Sequence, residues 1–124
     1  DEQIYLPHSR HTAWRKKDIL NCKDVEIVLE SKEAGPAVIM AQKGRQIFIS
    51  GHFEYDADTL AGEYLRDVKK GLAIQMPQHY FKDNNPDKGP LMNWRSHANL
   101  VFSNWLNYMV YQQTPYEFVE LTSI

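Results

Sequence analysis

Apolar residues in the first half of the chain occur in short runs that predict three β-strands. The first run, Val25 to Leu29, is followed by the turn residues Glu33 to Pro36 and by a second run from Ala37 to Ala41. Lys43-Gly44 forms the next predicted turn, and Gln46 to Ser50 is a nearly continuous apolar run of the kind found in buried strands. The pattern therefore predicts three short strands joined by turns.

Helical periodicity predicts two helices, one before these strands in the sequence and one after them. Thr12 can cap a helix from Ala13 to Leu20, whose charged residues would face water. Asp56 or Asp58 can cap a second helix that runs to about Lys70 and keeps its apolar residues on one face. Helices and strands together predict an α/β fold.

The remaining sequence predicts a long loop and a third helix. Residues 72–91 contain three prolines and two adjacent asparagines, so they predict a surface loop with Tyr80 and Phe81 tucked inward. Residues 93–112 predict a largely buried helix, because five apolar residues fall on one stripe of its surface. These residues are Ala98, Val101, Phe102, Trp105 and Met109.

The composition is that of one globular domain, which we assign to residues 1–124. Of the 124 residues, 43% are hydrophobic and 24% are charged. The net charge of -2 lacks the positive excess that phosphate-backbone binding requires, so we expect no nucleic-acid partner. No apolar run reaches the length of a membrane span, and the start, Asp1-Glu2-Gln3, is unlike a signal peptide, so we expect no membrane association. The single cysteine, Cys22, fits a reducing cytoplasm.

A histidine and a carboxylate follow the third predicted strand and are the first candidates for chemistry. If the extended conformation persists to residue 54, a period of two places His52 and Glu54 on the same side. A carboxylate beside an imidazole fixes its tautomer and stabilises the imidazolium that forms when it takes a proton. The pair would supply two thirds of a catalytic triad and would lack the nucleophile.

The same residues allow other interpretations. A histidine at a strand end is often a hydrogen-bonded structural residue. His52, Glu54 and Asp56 could also form a metal site, with His79 or His97 as a further ligand. No histidine pair at metal-ligand spacing supports that site, so we expect no bound metal.

Three residues elsewhere are weaker candidates for the same chemistry. Cys22 lies between a predicted helix and a strand and lacks the flanking glycines of a nucleophile elbow, the sharp turn that exposes a catalytic nucleophile. We therefore interpret it as an incidental thiol and not as the nucleophile. Ser9 lies in the polar segment that follows the apolar run at residues 4–6, which is either a loop with ligand contacts or a solvated turn. Arg66 shares a predicted helix with Glu63, so it forms either an exposed ion pair or a clamp on a substrate carboxylate.

Several ordered motifs resemble the homoserine O-acyltransferase family, often called homoserine O-succinyltransferase. The resemblance begins at residues 7–10 (PHSR), continues through 51–56 (GHFEYD) and the pairs at 59–67, and extends to 94–97 (WRSH). It ends with residues 104–108 (NWLNY), 110–112 and 114–116. Ordered blocks between residues 4 and 118 make this resemblance specific, and they match the carboxy-terminal portion of that family.

The resemblance implies transfer of an acetyl or succinyl group from acyl-coenzyme A to the hydroxyl of L-homoserine, through a cysteine thioester, in methionine biosynthesis. His52 matches the catalytic base of the family and Glu54 the residue that orients it. Arg66 matches a substrate-binding arginine, and Ser9 matches a serine that contacts the amino-acid acceptor. No cofactor is implied, because acyl-coenzyme A is a cosubstrate.

The family resemblance also implies a larger protein. Its fold is flavodoxin-like, with the three layers of class I glutamine amidotransferases, and the full-length enzyme is expected to be a homodimer. The nucleophile-bearing half of that fold does not match this chain, so we expect the chain alone to be inactive. A serine O-acetyltransferase, a glutamine amidotransferase-like enzyme and a catalytically silent assembly module are the competing functions.

Overall fold

A computed structural model describes residues 3–115 and shows a small α/β arrangement built on one antiparallel sheet. Strand β1 spans Val25–Ser31, β2 spans Gly35–Ala41 and β3 spans Gln46–Ile49, and they lie in the order β1-β2-β3. The connections are a three-residue turn and a short 3-10 segment, Gln42–Gly44, which are too short for anything but antiparallel pairing. The three predicted strands and both predicted turns are confirmed.

The register of the sheet follows from the apolar residues that share its faces. In the first pair Ile27 faces Ile39, and in the second pair Val38 faces Ile49. A bulge interrupts β1 on either side of Leu29, so its alternation of exposed and partly buried residues is lost at the end. The most buried strand is β2, the central one, because it has a partner on both edges.

The prediction that the third strand is buried was wrong. Residues of β3 alternate between exposed and half-buried, and Phe48 is 45% exposed. The reason is its position at the edge of a three-stranded sheet, where one face packs inward and the other faces outward. A continuous apolar run cannot distinguish such an edge strand from a central one.

The helices partly match the sequence patterns. Helix α1 spans Lys16–Leu20 and begins after Arg15, so the predicted start at Ala13, with Thr12 as its cap, was wrong. Residues 12–14 lie outside regular structure. Helix α2 spans Thr59–Lys69 as predicted, although the Asp58 side chain makes no capping hydrogen bond. None of the helices in residues 3–115 combines the length and apolar character needed to cross a membrane.

The third predicted helix exists but is not largely buried. Helix α3 spans Arg95–Asn104 and continues as a π-helical segment, Trp105–Tyr111. Of its residues only Ala98 is fully buried, whereas Phe102 is 43% and Tyr111 70% exposed. Periodicity identified a shared apolar face but could not show how much of that face another element covers.

The long loop carries part of the core. Tyr80 and Phe81 are 5% and 2% exposed, which confirms that they are tucked inward. Phe81 forms an isolated β-bridge with Pro90, and two 3-10 turns, Lys82–Asn84 and Pro86–Lys88, lie between them. The loop is therefore more ordered than its polar composition predicts.

Two separate apolar clusters make up the core, and the segment after β3 connects them. The sheet cluster consists of Val38, Phe53 and Ala98 with partly buried neighbours that include Ile47 and Ile49. The loop cluster consists of the buried residues of α2, the loop and Trp94, namely Leu60, Ala61, Tyr80, Phe81 and Trp94. Tyr55 packs against the loop cluster, two residues after Phe53 enters the sheet cluster.

Candidate active site

His52 and Glu54 contact each other directly. The His52 Nδ1 atom lies 2.7 Å from Glu54 Oε1, and their side chains are 32% and 69% exposed. Partial burial would raise the pKa of Glu54, but hydrogen bonds from its own backbone amide and from His52 lower that pKa below its ordinary value. The pair is therefore a carboxylate-imidazole dyad at the protein surface.

A turn, and not an extended strand, creates this contact. Strand β3 ends at Ile49, and residues 53 and 54 form a turn, so the period-of-two argument gave the wrong conformation. The His52 amide donates to the Pro7 carbonyl at 2.8 Å, and Phe53, 5% exposed, anchors the turn in the sheet cluster. Because Phe53 points into the core, the residues on either side of it share the outer surface.

Tyr55 completes the surroundings of the dyad, and the sequence reasoning missed it. Its ring stacks on the His52 ring with centroids 4.3 Å apart and planes 9° apart. Its hydroxyl donates to Glu63 Oε1 on α2 at 3.0 Å. Burial and then the Glu63 hydrogen bond raise the pKa of Tyr55, while the Ser9 side chain opposes that rise. The signal that could have found it is its place inside the 51–56 motif, directly after Glu54.

The segment that contains Ser9 lies against the same site. Ser9 is close enough to the Tyr55 phenol to influence its pKa, and His8 is close enough to His52 to feel its charge. Burial, and then the charges of Arg10 and His52, lower the pKa of His8 to about 4. His8 is therefore neutral around pH 7, and its Nδ1 atom is buried without a hydrogen-bond partner in residues 3–115.

Arg66 forms an ion pair, but with a residue that the sequence reasoning did not name. Its Nε and Nη2 atoms donate to the two carboxylate oxygens of Asp67 at 2.7 and 3.1 Å. That contact raises the pKa of Arg66 and lowers the pKa of Asp67. The charges of Glu63 and Tyr55 also raise the pKa of Arg66, by less than the contact with Asp67 does.

The residues proposed for a metal site do not assemble. The His97 Nδ1 atom accepts from the Tyr5 amide at 3.0 Å, and His79 pairs with Glu33 at 3.5 Å. Among residues 3–115, no three histidine, cysteine, aspartate or glutamate side chains are arranged to hold a metal ion. Cys22 is exposed just past α1, where its thiol lies 3.4 Å from the Asp18 carbonyl.

The arrangement can perform general base chemistry. With Nδ1 hydrogen-bonded to Glu54, the other ring nitrogen of His52, Nε2, is the atom that can take a proton from a nucleophile or an alcohol. The carboxylate stabilises the imidazolium that results. Cys22, the one cysteine of the chain, contacts the Asp18 carbonyl past α1 and makes no contact with this ring.

Comparison with known proteins agrees with these features. A family model described as homoserine O-succinyltransferase matches residues 1–116, which is nearly the whole chain. Tyr116, the last residue of the final motif, lies outside the described structure. The match covers all four proposed site residues, Ser9, His52, Glu54 and Arg66.

Curated relatives point the same way and are longer than this chain. The homoserine O-acetyltransferase of Clostridium tetani is 54% identical over 121 residues, which cover 98% of this chain and 40% of that protein. The homoserine O-acetyltransferase of Bacteroides thetaiotaomicron is 55% identical over 116 residues, covering 94% of this chain and 38% of that protein. The chain thus spans about two fifths of the length of these relatives. With nearly all of its residues matched by the family model, the chain belongs to the homoserine O-succinyltransferase family.

Proposed function

We propose that this chain supplies the base of a homoserine O-acyltransferase, which moves an acyl group from acyl-coenzyme A to the L-homoserine hydroxyl. The observation that carries the proposal is the 2.7 Å contact between His52 and Glu54 in a member of this family. The reaction would run in methionine biosynthesis.

Each half of the reaction needs a base at the same position. In the first half, His52 Nε2 takes the proton of a cysteine thiol, the thiolate attacks the acyl carbonyl, and the coenzyme A thiolate leaves with a proton from the imidazolium. In the second half, Nε2 takes the homoserine hydroxyl proton, the alkoxide attacks the thioester, and the cysteine regains its proton as the ester is released. Glu54 stabilises the imidazolium in both halves.

The cysteine would come from residues of the enzyme that this chain does not match. Cys22 is poorly suited, because it lies beyond α1 and its thiol contacts a backbone carbonyl. We therefore propose that the 124-residue chain alone is inactive. In the complete enzyme the chain would form part of a flavodoxin-like, three-layer domain and assemble as a homodimer.

Two residues would bind the acceptor. Arg66 presents a planar guanidinium that can bind the homoserine carboxylate through two hydrogen bonds, as it now binds Asp67. An incoming carboxylate must compete with Asp67 for the guanidinium. Ser9, beside the Tyr55 phenol, would contact the amino-acid end of the same substrate.

The acyl donor is proposed from the names of the relatives. The proteins from Clostridium tetani and Clostridium acetobutylicum are both named homoserine O-acetyltransferase, the latter 53% identical over 117 residues that cover 94% of this chain and 39% of its own length. The family description names succinyl transfer instead. We propose acetyl-coenzyme A as the donor.

The proposal is tested in the complete enzyme that contains this chain. Mass spectrometry after incubation with acetyl- or succinyl-coenzyme A detects the thioester, and homoserine then discharges it. His52→Asn is expected to lower the acylation rate by roughly 10²- to 10⁴-fold, the contribution of a positioned general base. Homoserine acylation at the wild-type rate in His52→Asn, or a thioester on Cys22 of the 124-residue chain, would contradict it.

A further inference from the structure

The dyad needs a third contact to be rigid. Glu54 is 69% exposed, so its carboxylate can leave His52 at little cost, and solvent screens the attraction between them. One hydrogen bond also leaves the imidazole free to rotate about the axis of that bond. A second surface against the ring would restrict that rotation.

Tyr55 provides that surface. The two rings are nearly parallel, 9° apart, with centroids at 4.3 Å, which is slightly closer than the usual range for aromatic pairs. Tyr55 is partly buried, so the face of the imidazole that it covers is shielded from water. The stack covers a face of the ring and not its edge, where Nδ1 contacts Glu54 and Nε2 can take a proton.

Tyr55 is itself fixed from two directions. The Trp94 indole, 2% exposed in the loop cluster, donates its Nε1 hydrogen to the Tyr55 carbonyl at 3.0 Å. At the other end, the phenol donates to Glu63 on α2 at 3.0 Å. The Tyr55 backbone is therefore hydrogen-bonded to the buried Trp94, and the Tyr55 hydroxyl is hydrogen-bonded to helix α2.

We propose that Tyr55 is a positioning residue, which holds the His52 ring in the plane where Nδ1 meets Glu54 and Nε2 faces the reacting atoms. The inference rests on the proposed function, since it assigns Tyr55 a role in the same proton transfers. Tyr55 needs no contact with substrate for this role. Misplacement of a catalytic group by about 1 Å can cost about 100-fold in rate, so loss of the stack has a measurable effect.

Two substitutions of Tyr55 separate the ring from the hydroxyl. Tyr55→Leu removes the stacking surface, and Tyr55→Phe keeps it while breaking the Glu63 hydrogen bond. Tyr5→Leu is the matched control, because Tyr5 stacks on His97, with planes 12° apart, and not on His52. Steady-state kinetics of the complete enzyme with homoserine and acetyl-coenzyme A give kcat and KM, normalised to the folded fraction from thermal unfolding.

We expect Tyr55→Leu to lower kcat about 30- to 100-fold with little change in the homoserine KM. Tyr55→Phe should stay within about fivefold of wild type, the effect of one lost hydrogen bond, and Tyr5→Leu should match wild type. If Tyr55→Leu does not fold, Tyr55→Met takes its place, because it fills similar volume without a planar ring.

A spectroscopic measurement tests the stack itself. In wild type and Tyr55→Phe, the ring current of residue 55 should move the carbon-bound ring protons of His52 upfield, and Tyr55→Leu should abolish that displacement. An active wild type whose Tyr55→Leu variant keeps its kcat, or loses it no more than Tyr5→Leu, overturns this inference and leaves the proposed function standing. A complete enzyme without acyltransferase activity overturns the proposed function and this inference with it.

Discussion

Replacing His8 with glutamine should reduce the amount by which the free energy of unfolding decreases between pH 7 and pH 4. The pKa of His8 falls from its ordinary value of 6.5 to about 4 because the ring is partly buried beside Arg10 and His52. Between those two values the unfolded chain binds a proton at His8 and the folded chain does not. The free energy of unfolding therefore decreases as the pH falls from about 6.5 toward 4.

The size of the effect follows from the two pKa values. Without solvent screening, a change in the His8 pKa from 6.5 to about 4 corresponds to about 3 kcal/mol in the free energy of unfolding. Because His8 is only partly buried, solvent screening reduces this figure, and we expect about 2 kcal/mol. Groups with lowered acidic pKa values, such as Glu54, also destabilise the protein in acid, but they are present in both proteins and cancel in the comparison.

Urea unfolding at pH 7 and pH 4 measures the difference. Wild type should lose about 2 kcal/mol more than His8→Gln between the two pH values, whatever the stability of the variant at pH 7. His79→Asn controls for removal of one imidazole, since His79 is exposed and lies in a left-handed conformation that asparagine tolerates. Equal losses in wild type and His8→Gln would show that His8 takes up its proton in the folded protein.

Three further substitutions test packing and binding around the site. Gly51→Ala should destabilise the fold by about 1 to 3 kcal/mol in urea unfolding, because a Cβ there would lie 2.7 Å from the Pro7 carbonyl oxygen; an unchanged midpoint would contradict this. Trp94→Phe should cost about 1 to 3 kcal/mol by leaving the Tyr55 carbonyl without its donor, and full stability of this variant would mean that water replaces the indole. Arg66→Lys in the complete enzyme should raise the homoserine KM about tenfold while thioester formation is unchanged, and an unchanged KM would remove Arg66 from the site.

Local sequence patterns predicted which helices and strands form better than they predicted how much of each is buried. The strands and turns were found because alternation and turn residues act over a few positions, and α2 was found because its apolar face repeats regularly. The start of α1 was missed because Thr12 has the right side chain for a cap but the chain does not become helical until Lys16. The exposure of β3 and α3 depends on what covers each face, which no local pattern contains.

At the candidate site, too, the sequence predicted one contact and missed others that depend on the fold. His52 and Glu54 were paired on a wrong premise, yet a turn brings neighbours in sequence together as effectively as an extended strand would. Tyr55 was missed because it follows His52 by three residues. In an extended strand, residues an odd number of positions apart point to opposite faces, so Tyr55 would have lain away from His52. The Arg66 and Asp67 pair was missed because consecutive residues of a helix do not face each other.

The segment after β3 makes the dyad depend on both apolar clusters. Phe53 fixes one side of the turn in the sheet cluster, and Tyr55 fixes the other side against the loop cluster. His52 and Glu54 flank Phe53, so any shift of one cluster relative to the other changes the angle at which the carboxylate meets the ring. The dyad obtains its geometry from the buried Phe53 and the partly buried Tyr55, because its own 2.7 Å contact is too accessible to water to hold it alone.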